Sequence, residues 1–271
     1  MLMAKPDLKR HIALIIAALV LMAPAGGLGE ELQPTHFYFA QITDTHIGER
    51  DHLERTREIV KQINGLPVEM KFMVHTGDIT INGTEDKVLT AAALSALGRL
   101  EAPVHYVAGN HDILWRQAAA TRNAYEKAFG GLISKVVYDD VVFIFICTET
   151  LRAQFSMDGY RPLEQLEQVL KEAAGRPAVI FHHAPSVEDF YNNVFHEGWP
   201  VDIRERWIQL INAHNVKAVI TGHFHRDEFH WLGDVPLYVC APVSGYWGRQ
   251  ASYRIYEYTD GKIGYRTQYI E

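Results

Sequence analysis

The feature that most constrains the fold of this chain is a series of short β-like runs, each followed closely by acidic, amide or imidazole side chains. Polar helical patterns at residues 50–64 and 85–100 separate the first three of these runs. The three runs and the first polar residue of interest after each are 37–42 with Asp44, 71–76 with Asp78, and 104–107 with Asn110. A β-α-β-α-β order predicts a parallel sheet, and the carboxyl ends of its strands meet at one edge.

The second half of the chain repeats the pattern. Two strands are predicted around Asp139-Asp140, a loop over 148–162, and two further β-like runs at 177–181 and 216–220. Helices are predicted at 117–129 and 163–174. The last two runs end at His182-His183 and at Gly222-His223-Phe224-His225.

The spacing of the polar residues predicts which side chains share a face. Adjacent histidines leave an extended strand on opposite faces, so at most one of His182 and His183 faces a common site. Asp44 and His46 are two residues apart, as are His223 and His225, so an extended chain places each pair on one side.

Histidine is concentrated at these strand ends. Six of the 14 histidines lie within residues 44–46, 110–111, 182–183 and 223–225. Histidines that merely fill a core are not expected to gather in this way. Mixed imidazole, carboxylate and amide ligands suit Mn, Fe, Co or Zn better than Mg or Ca. The sequence therefore predicts a transition-metal site.

The first 27 residues are predicted to be a signal peptide rather than part of the fold. Lys5, Lys9 and Arg10 form a basic start, residues 12–23 are an unbroken apolar run, and Ala23-Pro24-Ala25 suits signal peptidase. We expect cleavage near Ala25 and export to the periplasm or the outside, with an uncleaved membrane anchor as the alternative. Residues 28–271 are then expected to form one domain, without a stable membrane span.

The net charge of the chain argues against one class of function, and its two cysteines leave two alternatives open. The chain has 26 Lys and Arg against 33 Asp and Glu, so its net charge of -7 gives no attraction for polyanions. No nucleic-acid binding surface is expected. Cys147 and Cys240 lie in apolar runs, where they could pair outside the cytoplasm or remain two buried thiols.

Five motifs, taken in order, resemble the motif set of the calcineurin-like metallophosphoesterases, and their spacing is similar to the compact branch with class III cyclic-nucleotide and glycerophosphodiester phosphodiesterases. The resemblance implies an α/β fold with four layers, in which two mixed β-sheets flanked by helices carry a dinuclear metal site at the strand ends. The motifs are Asp44-x-His46, Gly77-Asp78, Gly109-Asn110-His111-Asp112, His182-His183 and Gly222-His223-x-His225.

The resemblance also assigns roles to the motif residues. Asp78 would bridge two divalent ions, and His111 would lie beside the leaving group as a proton donor. Asp112 would either orient His111 or cap the following helix. The remaining ligands would be Asp44, His46 and His225 for one metal, and Asn110, His182 and His223 for the other.

Two departures refine the resemblance. Purple acid phosphatases, a related branch, lack the first histidine and have a tyrosine ligand three residues after the second-block aspartate. Here His46 is present and Ile81 stands at the tyrosine position, so no tyrosinate–iron centre is expected. The fourth block reads His-His-Ala-Pro where relatives usually have His-His-Pro-Pro, which leaves His182 as the aligned ligand.

The implied reaction is hydrolysis of a small phosphodiester or phosphomonoester by a hydroxide held between two metals, with His111 protonating the leaving oxygen. The substrate-binding candidates are Tyr191, Tyr246, Trp247 and Arg249, although each could equally be a loop-packing residue. The alternative function is a non-catalytic exported protein that binds metal or phosphate on the same scaffold. The complete ligand set and the retained His111 favour the enzyme. The sequence does not indicate an oligomeric state.

Overall fold

Two mixed β-sheets form the centre of the computed structural model, which describes residues 35–188 and 198–270. The predicted signal peptide at residues 1–27 and the candidate Tyr191 both lie outside these ranges. The strands of the first sheet are β1 (His36–Ile42), β2 (Met70–His75), β3 (Val104–Tyr106), β10 (Ser252–Thr259) and β11 (Lys262–Tyr269). Their order is β11-β10-β1-β2-β3. β1, β2 and β3 are parallel, as predicted, whereas β10 is antiparallel to β1 and β11 is antiparallel to β10.

The second sheet has the order β4-β5-β6-β7-β9-β8. Its four central strands are parallel, and β4 and β8 are antiparallel strands at its two edges. The strands are β4 (Ile133–Tyr138), β5 (Val141–Ile146), β6 (Ala178–Phe181), β7 (Val216–Thr221), β8 (Glu228–Leu232) and β9 (Val235–Val239). The hairpin β10–β11 and the edge strand β8 are additions that the sequence did not predict.

Helices cover the outer faces of both sheets. They are α1 (His52–Asn64), α2 (Lys87–Leu97), α3 (Ala118–Phe129), α4 (Glu149–Arg152), α5 (Pro162–Glu172) and α6 (Val201–Asn212). Apolar residues of α1, α2 and α3 pack on the first sheet, and those of α5 and α6 pack on the second. The expected sandwich of two mixed sheets between helices is therefore confirmed. The short helix α4 lies inside the stretch predicted as a loop.

Aromatic side chains fill the space between the two sheets. Phe39 of β1 stacks on Phe72 of β2 with ring centroids 4.9 Å apart, and it meets Phe143 of β5 edge-on at 5.8 Å. Such pairs add about 0.5–1.5 kcal/mol each beyond their buried area. This shared core fixes the two sheets against each other, so that loops from both sheets can contribute to one site.

A buried ion pair also joins the sheets. Arg254 of β10 is fully buried, and its Nη2 lies 2.7 Å from Asp227 Oδ1 and donates to the Val239 carbonyl at 2.7 Å. Asp227 follows the loop that contains His223 and His225. Loss of either charged partner leaves the other uncompensated in a partly or fully buried position, which is strongly destabilising.

The structure also reports on the cysteines and on membrane spans. Cys147 and Cys240 are both buried free thiols, so the alternative of two unpaired cysteines is confirmed. Across residues 35–188 and 198–270, no helix has the length and apolar character needed to cross a membrane.

Candidate metal centre

The loops that follow β1 and β7 bring together a first group of metal-binding side chains. One donor atom each from Asp44, His46 and His225 lies within 4.8 Å of the others. His225 Nε2 is 3.2 Å from Asp44 Oδ1 and 3.3 Å from His46 Nε2. All three side chains are buried, as expected for residues that share an internal cation.

A second group forms around Asp78, and it includes Asn110, His183 and His223. His183 Nε2 lies 3.2 Å from Asp78 Oδ2, 3.2 Å from Asn110 Oδ1 and 3.1 Å from His223 Nδ1. Asp78 Oδ2 is also 3.6 Å from His46 Nε2 of the first group. Asp78 therefore stands between the two groups, where a bridging carboxylate is expected.

The structure corrects one predicted ligand. His182, not His183, was expected in the site, but the His182 ring packs against both Trp199 and Trp207, at centroid distances of 5.4 and 5.1 Å. Burial and the adjacent His183 lower the pKa of His182 to about 3, so its ring is neutral. His182 is a core residue of the helical layer, and His183 takes the place assigned to it.

The alternation of side chains along β6 explains this exchange. Val179 and Phe181 belong to the core between the sheets, whereas Ala178 and Ile180 face the helices. By the same alternation, His183 lies on the side of Val179 and Phe181, and His182 lies on the side that faces the helices. Because every residue of this strand is apolar and buried, the sequence gives no sign of which set faces the site.

The backbone at the site departs from the extended form that the spacing argument assumed. Non-glycine residues with positive φ include five residues of the two groups. They are Asp44 (52°), His46 (42°), Asp78 (55°), His223 (68°) and His225 (53°). Asp44 and His46 do converge on one group, but through left-handed turns rather than through strand alternation, whereas His223 and His225 contribute to different groups. Such strained conformations cost about 1–3 kcal/mol each and cluster at functional sites.

The hydrogen bonds of Asp44 and Asp78 direct one oxygen of each carboxylate toward the cluster. Asp44 Oδ2 accepts from Thr43 Oγ1 at 2.7 Å and from the His223 amide at 2.9 Å, whereas its buried Oδ1 faces the cluster, 3.2 Å from His225 Nε2. Asp78 Oδ1 accepts from the His111 amide at 2.8 Å, which leaves Oδ2 facing His183. Two buried carboxylates this close together are costly unless a positive charge meets the oxygens that face the cluster.

The pKa values of the histidines in the cluster also indicate a site that attracts cations. Burial alone lowers the pKa of His183, but the Asp78 and Asp44 carboxylates raise it to about 10. Burial outweighs the same two carboxylates at His46 and lowers its pKa to about 3, so this ring offers a lone pair. The carboxylates thus attract a positive charge to the position where metal ions would displace the proton. The residues present fit a pair of divalent ions.

His111 lies beside the cluster and lines a cavity of about 200 Å³. Its Nδ1 donates to the Ile81 carbonyl at 2.7 Å, and its ring meets the His46 ring edge-on at 4.7 Å. Burial lowers its pKa, but Asp78 and then the Ile81 carbonyl outweigh this and raise it above the ordinary value. The nearby Asp112 carboxylate also raises the pKa of His111.

Asp112 has neither of the two predicted roles. Its Oδ2 accepts from the Gly109 amide at 2.9 Å, and its Oδ1 accepts from the Ile79 amide at 2.9 Å. The fully buried carboxylate therefore holds the loop after β3 against the loop after β2. It positions the neighbours of Asp78 and Asn110 rather than orienting the His111 ring, whose Nδ1 is bound to Ile81.

Two of the four substrate-binding candidates line the cavity. Tyr246 stacks on the His225 ring at 5.6 Å, and Trp247 lies 5.3 Å from it with 65% of its surface exposed. Arg249 is exposed but is not among the residues that line this cavity, and its carbonyl accepts from Arg55 Nη1 at 3.3 Å. An aromatic rim therefore borders the His225 side of the site.

Comparison with known proteins identifies the family. The family model described as calcineurin-like phosphoesterase matches residues 37–227, which include all the motif residues. The chain belongs to the calcineurin-like phosphoesterase family. It is a dinuclear metal-dependent hydrolase of phosphoric esters, and the two groups of donors around Asp78 are its candidate metal ligands.

Three curated proteins that are similar in sequence to this chain are described as phosphodiesterases or a phosphatase. A probable cyclic nucleotide phosphodiesterase of Colwellia psychrerythraea is 22% identical and aligns with 70% of this chain and 71% of its own length. A probable glycerophosphodiester phosphodiesterase, GpdQ, of Arcobacter nitrofigilis is 25% identical, with coverages of 69% and 71%. The serine/threonine-protein phosphatase CPPED1 of Danio rerio is 25% identical, with coverages of 70% and 71%.

Solved structures share the fold. A dimetal phosphatase from Danio rerio superposes with a TM-score of 0.62 at 14% identity, covering 88% of this chain and 100% of its own. GAP50 of Plasmodium, described as the anchor in the inner membrane complex, superposes with a TM-score of 0.59 at 15% identity, covering 86% and 84%. At these identities the similarity concerns the fold alone.

Proposed function

We propose that this phosphoesterase hydrolyses a small phosphodiester, with a phosphomonoester as the second choice, in a compartment outside the cytoplasm. The observation that carries the reaction class is the complete set of donors around Asp78, next to a cavity lined by His111. The names of two relatives, a cyclic nucleotide phosphodiesterase and a glycerophosphodiester phosphodiesterase, favour a diester.

The metal pair supplies chemistry that side chains lack. Asp44, His46 and His225 would hold one divalent ion, Asn110, His183 and His223 would hold the other, and Asp78 would serve both. When bound, such ions would supply positive charge for the phosphoryl group and would lower the pKa of a water molecule toward about 7. The donor set favours Mn, Fe, Co or Zn over Mg or Ca, because imidazole nitrogens outnumber carboxylates.

His111 is the proposed general acid. With Nδ1–H donated to the Ile81 carbonyl, a protonated His111 carries its second proton on Nε2. An alkoxide leaves poorly unless it receives a proton, and a positioned imidazolium contributes about 10²–10⁴-fold to such a step. The cavity of about 200 Å³ is small, which favours a compact ester.

The first experiment is a substrate screen with metal-loaded protein. The chain is reconstituted separately with Mn, Fe, Co and Zn and offered a phosphomonoester, an acyclic phosphodiester and a cyclic nucleotide. Turnover of a diester ahead of the monoester supports the proposal. Two bound metals without turnover of any ester would support the alternative of a metal- or phosphate-binding protein.

The second experiment isolates His111. The variant His111→Ala should keep both metals while kcat falls by roughly 10²–10⁴ for esters with basic leaving groups. The loss should shrink for a nitrophenyl ester, whose leaving group hardly needs a proton. An equal loss for both esters, accompanied by loss of metal, would show that His111 only supports the loop.

Export is a separate part of the proposal, and it rests on the basic start, the apolar run and the Ala23-Pro24-Ala25 segment. The mature protein should begin near residue 26. N-terminal sequencing of protein recovered from the exported fraction tests this expectation. An intact Met1 in that fraction would favour the uncleaved anchor.

A further inference from the structure

His52 is a buried histidine that the metal-ligand motifs do not include. It opens α1, eight residues after Asp44, and its side chain is fully buried. Its Nδ1 lies 3.1 Å from the His46 carbonyl, and its Nε2 lies 3.1 Å from the Gly245 amide. One imidazole therefore connects the backbone of the first metal-binding loop with the start of the aromatic rim.

These two contacts determine the tautomer of His52. A carbonyl oxygen only accepts, so Nδ1 must carry the proton that it shares with His46. An amide N–H only donates, so Nε2 must be unprotonated to accept from Gly245. The ring is consequently neutral, with its single proton on Nδ1, and neither contact can reverse its direction.

The Gly245 contact fixes the segment that carries Tyr246 and Trp247. The Tyr246 ring meets His52 edge-on at 5.1 Å, and its hydroxyl is hydrogen-bonded to Glu49. Arg50 Nη1 donates to the Gly245 carbonyl at 3.3 Å. Glu49 and Arg50 are each at least one-third exposed, whereas the His52 contact is buried, so His52 is the least weakened by water of these three side-chain contacts.

The position of this segment determines where two aromatic rings stand at the edge of the cavity. Tyr246 stacks on His225, and Trp247 has a positive φ of 53° that holds its exposed ring 5.3 Å from the same histidine. A non-glycine residue in this conformation needs support from its surroundings. Without the Gly245 contact, the two rings lose one of the bonds that keep them over the cavity.

We propose that His52 is a positioning residue that holds the Tyr246–Trp247 rim over the metal centre and thereby sets substrate affinity. The effect on affinity rests on the proposed phosphoesterase function. The positioning itself does not, because it follows from the hydrogen bonds of His52 alone.

Two substitutions separate the two contacts of His52. In His52→Asn the amide reaches the position of Nδ1, so it can donate to His46 but leaves the Gly245 amide without an acceptor. In His52→Gln the longer side chain places an oxygen near the position of Nε2, where it can accept from Gly245. Thr56→Val is the control, because buried Thr56 lies one turn along α1 and its hydroxyl bonds to the His52 carbonyl at 2.8 Å.

We expect KM to rise roughly tenfold in His52→Asn, the scale of one unmade buried hydrogen bond, while kcat and metal content stay close to those of the parent protein. His52→Gln should restore most of the KM, and Thr56→Val should lower thermal stability without changing KM. Unchanged KM in His52→Asn, or a rise that follows loss of metal, would overturn the proposal.

Two readouts remain informative if no ester is turned over. Long-range ¹H–¹⁵N spectra of histidine-labelled protein should show His52 protonated on Nδ1 and unprotonated on Nε2. Hydrogen exchange in the peptide containing residues 245–249 should accelerate in His52→Asn but not in His52→Gln or Thr56→Val. A proton on Nε2, or equal exchange in the three variants, would refute the positioning role independently of activity.

Discussion

The adjacent residues His182 and His183 offer a sharp test of the site, because the two substitutions to alanine are chemically identical but should have opposite effects. His183 Nε2 meets Asp78, Asn110 and His223 within 3.2 Å. His182 instead packs against two tryptophans. Each variant is thus the matched control of the other.

His183→Ala should lose metal and retain most of its stability as a metal-free protein. Loss of a residue that merely supports a ligand lowers metal affinity by about 10–100-fold, so removal of a ligand should exceed the upper end of that range. The cavity left beside the metals is polar and can admit water. We therefore expect one of the two ions to be lost at limiting free metal.

His182→Ala should keep both metals but lose stability. The substitution empties the space of a fully buried ring that packs against Trp199 and Trp207, and large-to-small core substitutions of this kind cost about 2–4 kcal/mol. In a domain of this size, that corresponds to a Tm lower by roughly 5–15 °C.

Two measurements on both variants show which histidine is the ligand. They are the metal content by elemental analysis and the Tm of the metal-free protein. The expected result is loss of metal in His183→Ala and loss of Tm in His182→Ala. The reverse pattern would refute the assignment and restore His182 as the ligand. Loss of metal in both variants to the same degree would refute the argument from strand alternation.

Three further predictions follow from the structure. Asp78→Ala should abolish activity and lower the content of both metals, because both groups lose a shared donor; undiminished metal would exclude the bridging role. Arg254→Met should lower the free energy of unfolding by about 3 kcal/mol through loss of the buried ion pair between the sheets. The control Arg57→Met removes the exposed pair of Arg57 with Glu54 and should change it by less than about 0.5 kcal/mol; equal effects in urea unfolding would contradict this. Cys147 and Cys240 should not react with a thiol reagent in the native protein, since burial raises the pKa of both; two rapid equivalents before unfolding would contradict their burial.

Much of the architecture follows from local sequence patterns. The β-like runs before Asp44, Asp78 and Asn110 form the parallel strands β1, β2 and β3, because apolar periodicity and strand-breaking residues act over short stretches. The hairpin β10–β11 was not predicted. Its long-range antiparallel pairing with β1 has no local signal.

For the metal-binding side chains too, some features follow from local sequence and others depend on distant contacts. The types of donor, and their location after strands, were evident from the sequence. The way in which Asp44 and His46 converge was not, because both residues adopt left-handed conformations that the surrounding backbone imposes. The role of Asp112 also depended on distant partners, since its carboxylate binds the amide of Ile79, 33 residues away.

The sequence by itself determined the order of the strands in the chain, the donor types and the family resemblance, because each depends on residues that are close in sequence or on their order. Tertiary structure alone decided that His183 faces the metals and that His52 joins two distant loops. Both outcomes depend on which face of the strand or helix packs against the neighbouring layer. That choice is made when the sheets and helices pack, since a strand apolar on both faces has no preferred side before then.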